Sequence, residues 1–171
     1  NLTVVQMDGW KREMLWEETG LPFIPPSPNM PTPDTARVYP GMCLVEGTNL
    51  SEARGTTRPF EQAGAPFYDA DELAAALNAQ KLAGVHFRAC HFQPTFHKFV
   101  KRGCAGVFLH VTDARTFQPY RAGLAFIMVA QDLARDRFRW RTEMYEYVDT
   151  VPAFDLLTGT AAVRQAFDRG E

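Results

Sequence analysis

Thirteen consecutive positions, 46–58, hold two carboxylates (Glu46, Glu52), two guanidiniums (Arg54, Arg58), three threonines (Thr48, Thr56, Thr57), Ser51 and Asn49. Paired carboxylates do acid–base and nucleophilic work on glycosidic bonds when their carboxyl groups stand roughly 5 to 9.5 Å apart. Six residues apart on one strand, Glu46 and Glu52 would have Cα atoms about 20 Å apart, at ~3.3 Å per residue. Either the loop folds back, which Gly47 and Asn49 permit through positive φ, or one glutamate reacts with a carboxylate from elsewhere. The run Arg54-Gly55-Thr56-Thr57-Arg58 has the make-up of an anion cradle, with glycine admitting backbone N–H groups and two forked cations beside it. No GxxxxGK(S/T) phosphate loop occurs in the chain. The plainer alternative is an exposed Glu52–Arg54 ion pair worth less than about 1 kcal/mol, with Asn49 and Ser51 as turn residues.

Other reactive side chains are scattered. His86 and His91 differ in parity on the strand they share and so face opposite ways, while His97 lies past Pro94 and His110 on another strand. That pattern does not assemble a metal site, and core or surface histidines are the default. No GxSxG elbow supports a serine nucleophile. Cys104 sits in an apolar stretch with no neighbouring cation, unsuited to a nucleophilic thiolate. Three cysteines without CxxC spacing read as small core residues, with one disulfide left open. Phe92, Phe96 and Phe99 read as core; Trp10, Trp16 or Tyr39 would stack on a pyranose if exposed. Asn49-Leu50-Ser51 fits a glycosylation sequon but lies inside a compact loop.

The elements that must position these groups belong to one 171-residue chain, 46% apolar and 22% charged, the size and balance of a single globular domain. Eighteen Lys and Arg against 20 Asp and Glu give a net charge of -2, with no basic face for nucleic acid or an anionic membrane. No apolar run approaches the ~20 residues of a membrane span, and no signal peptide is visible. Seven of the 12 prolines fall between Pro22 and Pro40. Proline removes a donor and restricts its predecessor, so 21–40 reads as an extended crossing without helix, anchored by Phe23, Ile24, Met30 and Val38. Before it, Thr3-Val4-Val5 reads as a strand end, and Asp8 caps a helix carrying Trp10, Met14 and Leu15 that Gly20 stops. Such an opening reads as the tail of an α/β unit begun upstream.

After the crossing, Met42–Val45 reads as a buried strand and 70–81 as a helix capped by Asp69 or Asp71, with Leu73 and Leu77 on one face. Residues 85–92 alternate as a strand, and 106–112 form another. A helix over about 120–135 places Leu124, Ile127, Met128 and Leu133 at core spacing. Residues 143–148 read as a short edge strand. The last helix is capped by Thr160 and buries Val163 and Phe167. Strands and helices without regular alternation predict an α+β domain with a mixed sheet flanked by helices.

Several motifs together resemble the bacterial exo-β-N-acetylmuramidase (NamZ) family. They are Pro28-Asn29-Met30-Pro31, Tyr39-Pro40-Gly41, the EGTNxSExRGTT block from Glu46 to Thr57 with Arg58-Pro59-Phe60, Gly64-Ala65-Pro66, Pro94-Thr95-Phe96, Leu109 to Asp113, and Phe154 to Thr160. The resemblance implies the C-terminal part of a two-domain glycoside hydrolase that removes terminal N-acetylmuramic acid from peptidoglycan fragments. It implies a Rossmann-like N-terminal domain, absent here apart from a remnant at 1–20, then the crossing at 21–40 and an α+β domain over 41–171. The active site then lies in the cleft between the domains, uses glutamates and needs no cofactor. On that reading the fragment alone is inactive, and its partners are a peptidoglycan-derived sugar and the upstream domain. The family's substrate favours the cell envelope or secretion, with a cytoplasmic site left open. Glu46 and Glu52 are the catalytic candidates, with Glu46 favoured as the acid because burial at a strand end favours a neutral carboxyl. Arg54 or Arg58 would fork the lactyl carboxylate. Asn29, Asn49, Ser51, Thr56 and Thr57 complete the substrate-binding set. Where the family usually has glycine this chain has Ala53, which is strained if that position needs positive φ. The rival reading is a non-catalytic sugar-binding or cleft-shaping module; an anion-binding module built on Arg54–Arg58 is a third.

Overall fold

The computed structural model describes residues 1–170. An antiparallel three-stranded sheet, in the order β1-β3-β2, is formed by β1 (Gln62–Ala65), β2 (Val85–Phe92) and β3 (Cys104–Val111). The five helices are α1 (Pro33–Met42), α2 (Ala70–Ala79), α3 (Pro119–Leu133), α4 (Ala153–Thr158) and α5 (Ala162–Arg169). The α+β class holds, but the sheet is wholly antiparallel instead of mixed. None of these helices is long and apolar enough to cross a membrane.

Period-2 alternation puts Phe87, Val107 and Leu109 on the helix-covered face of the sheet, against Leu73 and Leu77 of α2 and Phe126 and Ile127 of α3. Asp69 caps α2 by accepting from the backbone N–H groups of Asp71 and Glu72. His86 and His110 stand directly opposite one another on β2 and β3. Arg88 donates to His110 at 3.1 Å.

The proline-rich segment departs from expectation, because its last eight residues, 33–40, are helical. Thr32 caps α1 by accepting from the Thr35 N–H, and Pro33 occupies the first turn, where a missing donor costs nothing. Pro40 lies inside the helix, two residues before its end, and forfeits its own backbone bond there. Met42–Val45 is accordingly no strand: Met42 ends α1, and Cys43–Gly47 continues as a 3-10 turn with Leu44 and Val45 buried. A short apolar run fits a buried helix as well as a buried strand. Helices α1 and α3 meet backbone to backbone, such that a Cβ on Gly41 would lie 1.8 Å from the Pro119 carbonyl oxygen.

The N-terminal segment shows neither the expected strand at Thr3–Val5 nor the helix from Asp8. It has a turn and then a single 3-10 helix, Trp16–Thr19, stopped by Gly20 at φ 68°. Leu2, Val4, Val5, Met7 and Ile24 are exposed. Glu17 pairs with Arg37 of α1, and Arg115 reaches Glu18 and the Glu13 carbonyl. Residues 143–148 do not form an edge strand; Tyr145 and Val148 merely pair with each other. The last helix begins at Ala162, whose N–H is accepted by the Thr160 hydroxyl, and its Val163 and Phe167 are half-buried against the core. All three cysteines are free thiols, and burial pushes each up to about 11.

Candidate active site

The loop after the 3-10 turn folds back. Thr48 donates to the Val45 carbonyl and accepts from the Leu50 N–H. Asn49 is clasped on both sides, its Nδ2 donating to the Arg137 carbonyl and its Oδ1 accepting from the Arg139 N–H. Ser51 exchanges backbone bonds with Gly64 of β1, so the chain past the reversal runs beside the sheet. The two glutamates thereby reach one guanidinium: Arg54 Nη2 donates to Glu46 Oε1 at 2.7 Å and Nε to Glu52 Oε1 at 3.2 Å. Glu46 projects from the 3-10 turn and not from a strand end. Its other oxygen, Oε2, accepts from the Tyr145 hydroxyl at 2.9 Å.

Glu52 is wholly buried. Lys98 Nζ donates to Glu52 Oε2 at 3.0 Å and to the carbonyls of Val45 and Leu50, which uses all three ammonium protons. His97 Nδ1 lies 3.0 Å from Glu52 Oε1. Burial alone would push the Glu52 carboxyl up, but the His97 hydrogen bond, the Lys98 charge and its own backbone bond together hold it down at about 2. Burial lowers the Lys98 ammonium, with the Glu52 charge acting in the opposite direction. Behind this cluster, the Arg54 guanidinium lies over the Phe60 ring, which meets Tyr39 edge-on.

Of the residues singled out from sequence, Glu46, Glu52 and Arg54 come together. Asn49 and Ser51 lie beside them with their side chains engaged: Ser51 Oγ accepts from the Ala53 N–H. Thr56 closes the following turn, donating to the Ala53 carbonyl and accepting from the Arg58 N–H. Thr57 is exposed. Asn29 lies apart, its backbone N–H donating to Ser27 Oγ. Arg58 points to a different groove, where it meets Glu61 at 3.5 Å. Glu61 is itself buried, accepting from Thr35 and Thr32 at the start of α1. Ala53 sits at φ 59°, so the position does require the left-handed conformation.

Sequence reasoning missed His97, Lys98 and Tyr145. Lys98, set among Phe96, Phe99 and Val100 with Lys101 and Arg102 just after, gave at most a weak local signal, since a buried lysine needs an anion. Beside the cluster opens a groove of about 520 Å³, walled by Phe99 and Trp140 and flanked by His97, Lys98, Arg139 and Arg141. Among the described residues no three His, Cys, Asp or Glu side chains converge to hold a metal ion. Glu46, held at both oxygens by Arg54 and Tyr145, lies next to this groove but not among the residues that line it.

The chain is 46% identical over 170 residues to the peptidoglycan β-N-acetylmuramidase NamZ of Bacillus subtilis (strain 168), covering 99% of this chain and 39% of that protein. Two DUF1343 family proteins of Bacteroides fragilis share the fold. One matches with a TM-score of 0.83 and 30% identity over all of this chain and 44% of its own. The other matches with a TM-score of 0.54 and 26% identity over 86% of this chain and 36% of its own. Residues 1–34 match the N-terminal family model of exo-β-N-acetylmuramidase NamZ and residues 37–171 the C-terminal one. The chain spans less than half the length of each of these relatives, and by sequence and fold it belongs to the NamZ exo-β-N-acetylmuramidase family.

Proposed function

We propose that this chain is the C-terminal part of a two-domain glycoside hydrolase that releases terminal N-acetylmuramic acid from peptidoglycan fragments, and that Glu46 is its contribution to the chemistry. The observation that carries this is the setting of Glu46: one oxygen on Arg54, the other on Tyr145, and a side chain 9% exposed where that of Glu52 is 1% exposed. Glu46 is the carboxylate placed to meet a sugar. Glu52, enclosed by Lys98, His97 and Arg54, is a positioning residue that holds Arg54 and through it Glu46. The second reacting carboxylate comes from the longer protein's upstream domain, so the chain alone is inactive. The exposed Leu2, Val4, Val5 and Ile24 in the stretch matching the N-terminal family model support packing against that domain. The substrate's origin favours action at the cell envelope or after secretion.

A second reading has its own support: the ion pairing of Glu46 and Glu52 also suits a rigid strut in a sugar-binding module. Glu46→Gln in the full-length protein separates the two, assayed on para-nitrophenyl N-acetylmuramide. Catalysis by Glu46 predicts a kcat reduced by orders of magnitude with the fold intact; a binding module predicts chiefly a raised KM.

A further inference from the structure

N-acetylmuramic acid differs from N-acetylglucosamine by an ether-linked lactyl group, hence by one carboxylate. Resting on the reading above, the question is which cation meets it. Arg54 is committed to Glu46 and Glu52 through Nη2 and Nε. Arg58 lies in a different groove, where Glu61 already meets its guanidinium and Asp34 is paired with Arg37, so no cation there is left over for an anionic ligand.

The groove beside the cluster has the opposite balance. Arg139 and Arg141 face a single carboxylate, Glu143, while the Lys98 charge is matched by Glu52. Arg139 donates only to the backbone carbonyls of Phe138 and Asp136, and Arg141 through Nη2 only to that of Met144. Among the described residues neither guanidinium is ion-paired, so their charges are available to a ligand. The segment is also held rigidly against the site: Arg141 N–H donates to the Gly47 carbonyl, and Asn49 N–H donates to that of Arg139. The Arg141 guanidinium lies 5.2 Å from the centre of the Tyr145 ring, whose hydroxyl is bonded to Glu46. A carboxylate on Arg141 would therefore be one side chain removed from Glu46, and Trp140 and Phe99 offer apolar walls for a pyranose.

We propose that Arg141, with Arg139 as a second cation, recognises the carboxylate of the muramic acid unit and sets the preference for muramoyl over glucosaminyl sugars. The fork of a guanidinium suits that carboxylate better than an ammonium does.

The test is calorimetric binding of N-acetylmuramic acid and N-acetylglucosamine to the full-length protein and its variants. Arg141→Ala is expected to raise the Kd for N-acetylmuramic acid at least tenfold, about 1.4 kcal/mol, and to leave that for N-acetylglucosamine within twofold. Arg141→Lys should recover part of the loss, and adding Arg139→Ala should deepen it. An unchanged ratio of the two Kd values in the double variant overturns the proposal, as does a ratio that collapses in Arg58→Ala instead, or a wild type that prefers neither sugar. Hydrolysis is read separately. A wild type that binds N-acetylmuramic acid through Arg141 but leaves para-nitrophenyl N-acetylmuramide intact would sink the proposed function and uphold this one.

Discussion

Tyr145 donates its hydroxyl to Glu46 Oε2 at 2.9 Å across 99 positions of sequence, tying the loop after Trp140 to the 3-10 turn that carries the carboxylate. Burial first, and then the Glu46 charge, push the phenol up, so Tyr145 stays a proton-bearing donor throughout the working range of pH. A hydrogen bond to a charged group contributes about 1.5–3 kcal/mol. Tyr145→Phe should therefore lower kcat on para-nitrophenyl N-acetylmuramide by about tenfold to a hundredfold while leaving KM nearly unmoved. A wild-type kcat would show that Glu46 does not depend on this bond.

Glu52 makes stability depend on acidity in a defined direction. Its carboxyl sits at about 2 in the folded protein against an ordinary 4.5. The stabilisation it provides is thus complete above pH 4.5 and is lost as pH falls from there towards 2. Glu52→Gln leaves Lys98 without its anion, and breaking a buried pair costs about 3–5 kcal/mol. Urea midpoints of the wild type and Glu52→Gln should differ most at neutral pH and converge on acidification. A gap that stays constant down to pH 2.5 would contradict the assignment.

Arg54 is a quarter exposed in its side chain, so its removal is cushioned by water. Between the ~0–1 kcal/mol of exposed pairs and the ~3–5 kcal/mol of buried ones, Arg54→Ala should cost about 2 kcal/mol. Differential scanning calorimetry would show a lowered Tm. Activity should fall alongside, because Glu46 loses the guanidinium that orients it. A Tm equal to wild type with activity intact would mean that the bridge is incidental.

Ala53 tests how competing small terms sum. Glycine would relieve a left-handed alanine of roughly 1–2 kcal/mol. It would also release a buried methyl worth about 0.8 kcal/mol and loosen the unfolded chain by about 0.4–1 kcal/mol. Ala53→Gly is accordingly expected to leave the unfolding free energy within about 1 kcal/mol of wild type, measured by urea titration. Ala53→Val, branched at Cβ in that conformation and wholly enclosed, should be plainly destabilising.

Much of the scaffold was legible because periodicity and burial agree along α2, α3 and the first half of β2, and because β3 is a continuous apolar run. The helix α1 was not, since only a first-turn proline such as Pro33 is neutral to helix, and Pro40 inside it counts against one. Strand β1, with only Gln-Ala-Gly-Ala, has no β-branched or aromatic residue to announce it. The same division runs through the site. Glu46, Glu52 and Arg54 share one short stretch whose composition is unusual, and so they stood out. His97, Lys98, Tyr145, Arg139 and Arg141 arrive from segments 40 to 100 positions downstream and carry no spacing relative to the block. Only the fold makes them neighbours.

The backbone contact between Gly41 and Gly123 bears on how this molecule can vary. A Cβ on Gly123 would lie 2.2 Å from the Gly41 carbonyl oxygen, so neither position has room for a methyl group. Five residues after Gly41 the chain presents Glu46, and the intervening turn contains no flexible joint. The backbone that carries Glu46 is thus set in part by this close approach of two helices, in addition to the side-chain bonds from Arg54 and Tyr145. A single added carbon at either glycine would push the two helices apart and shift the turn that carries Glu46.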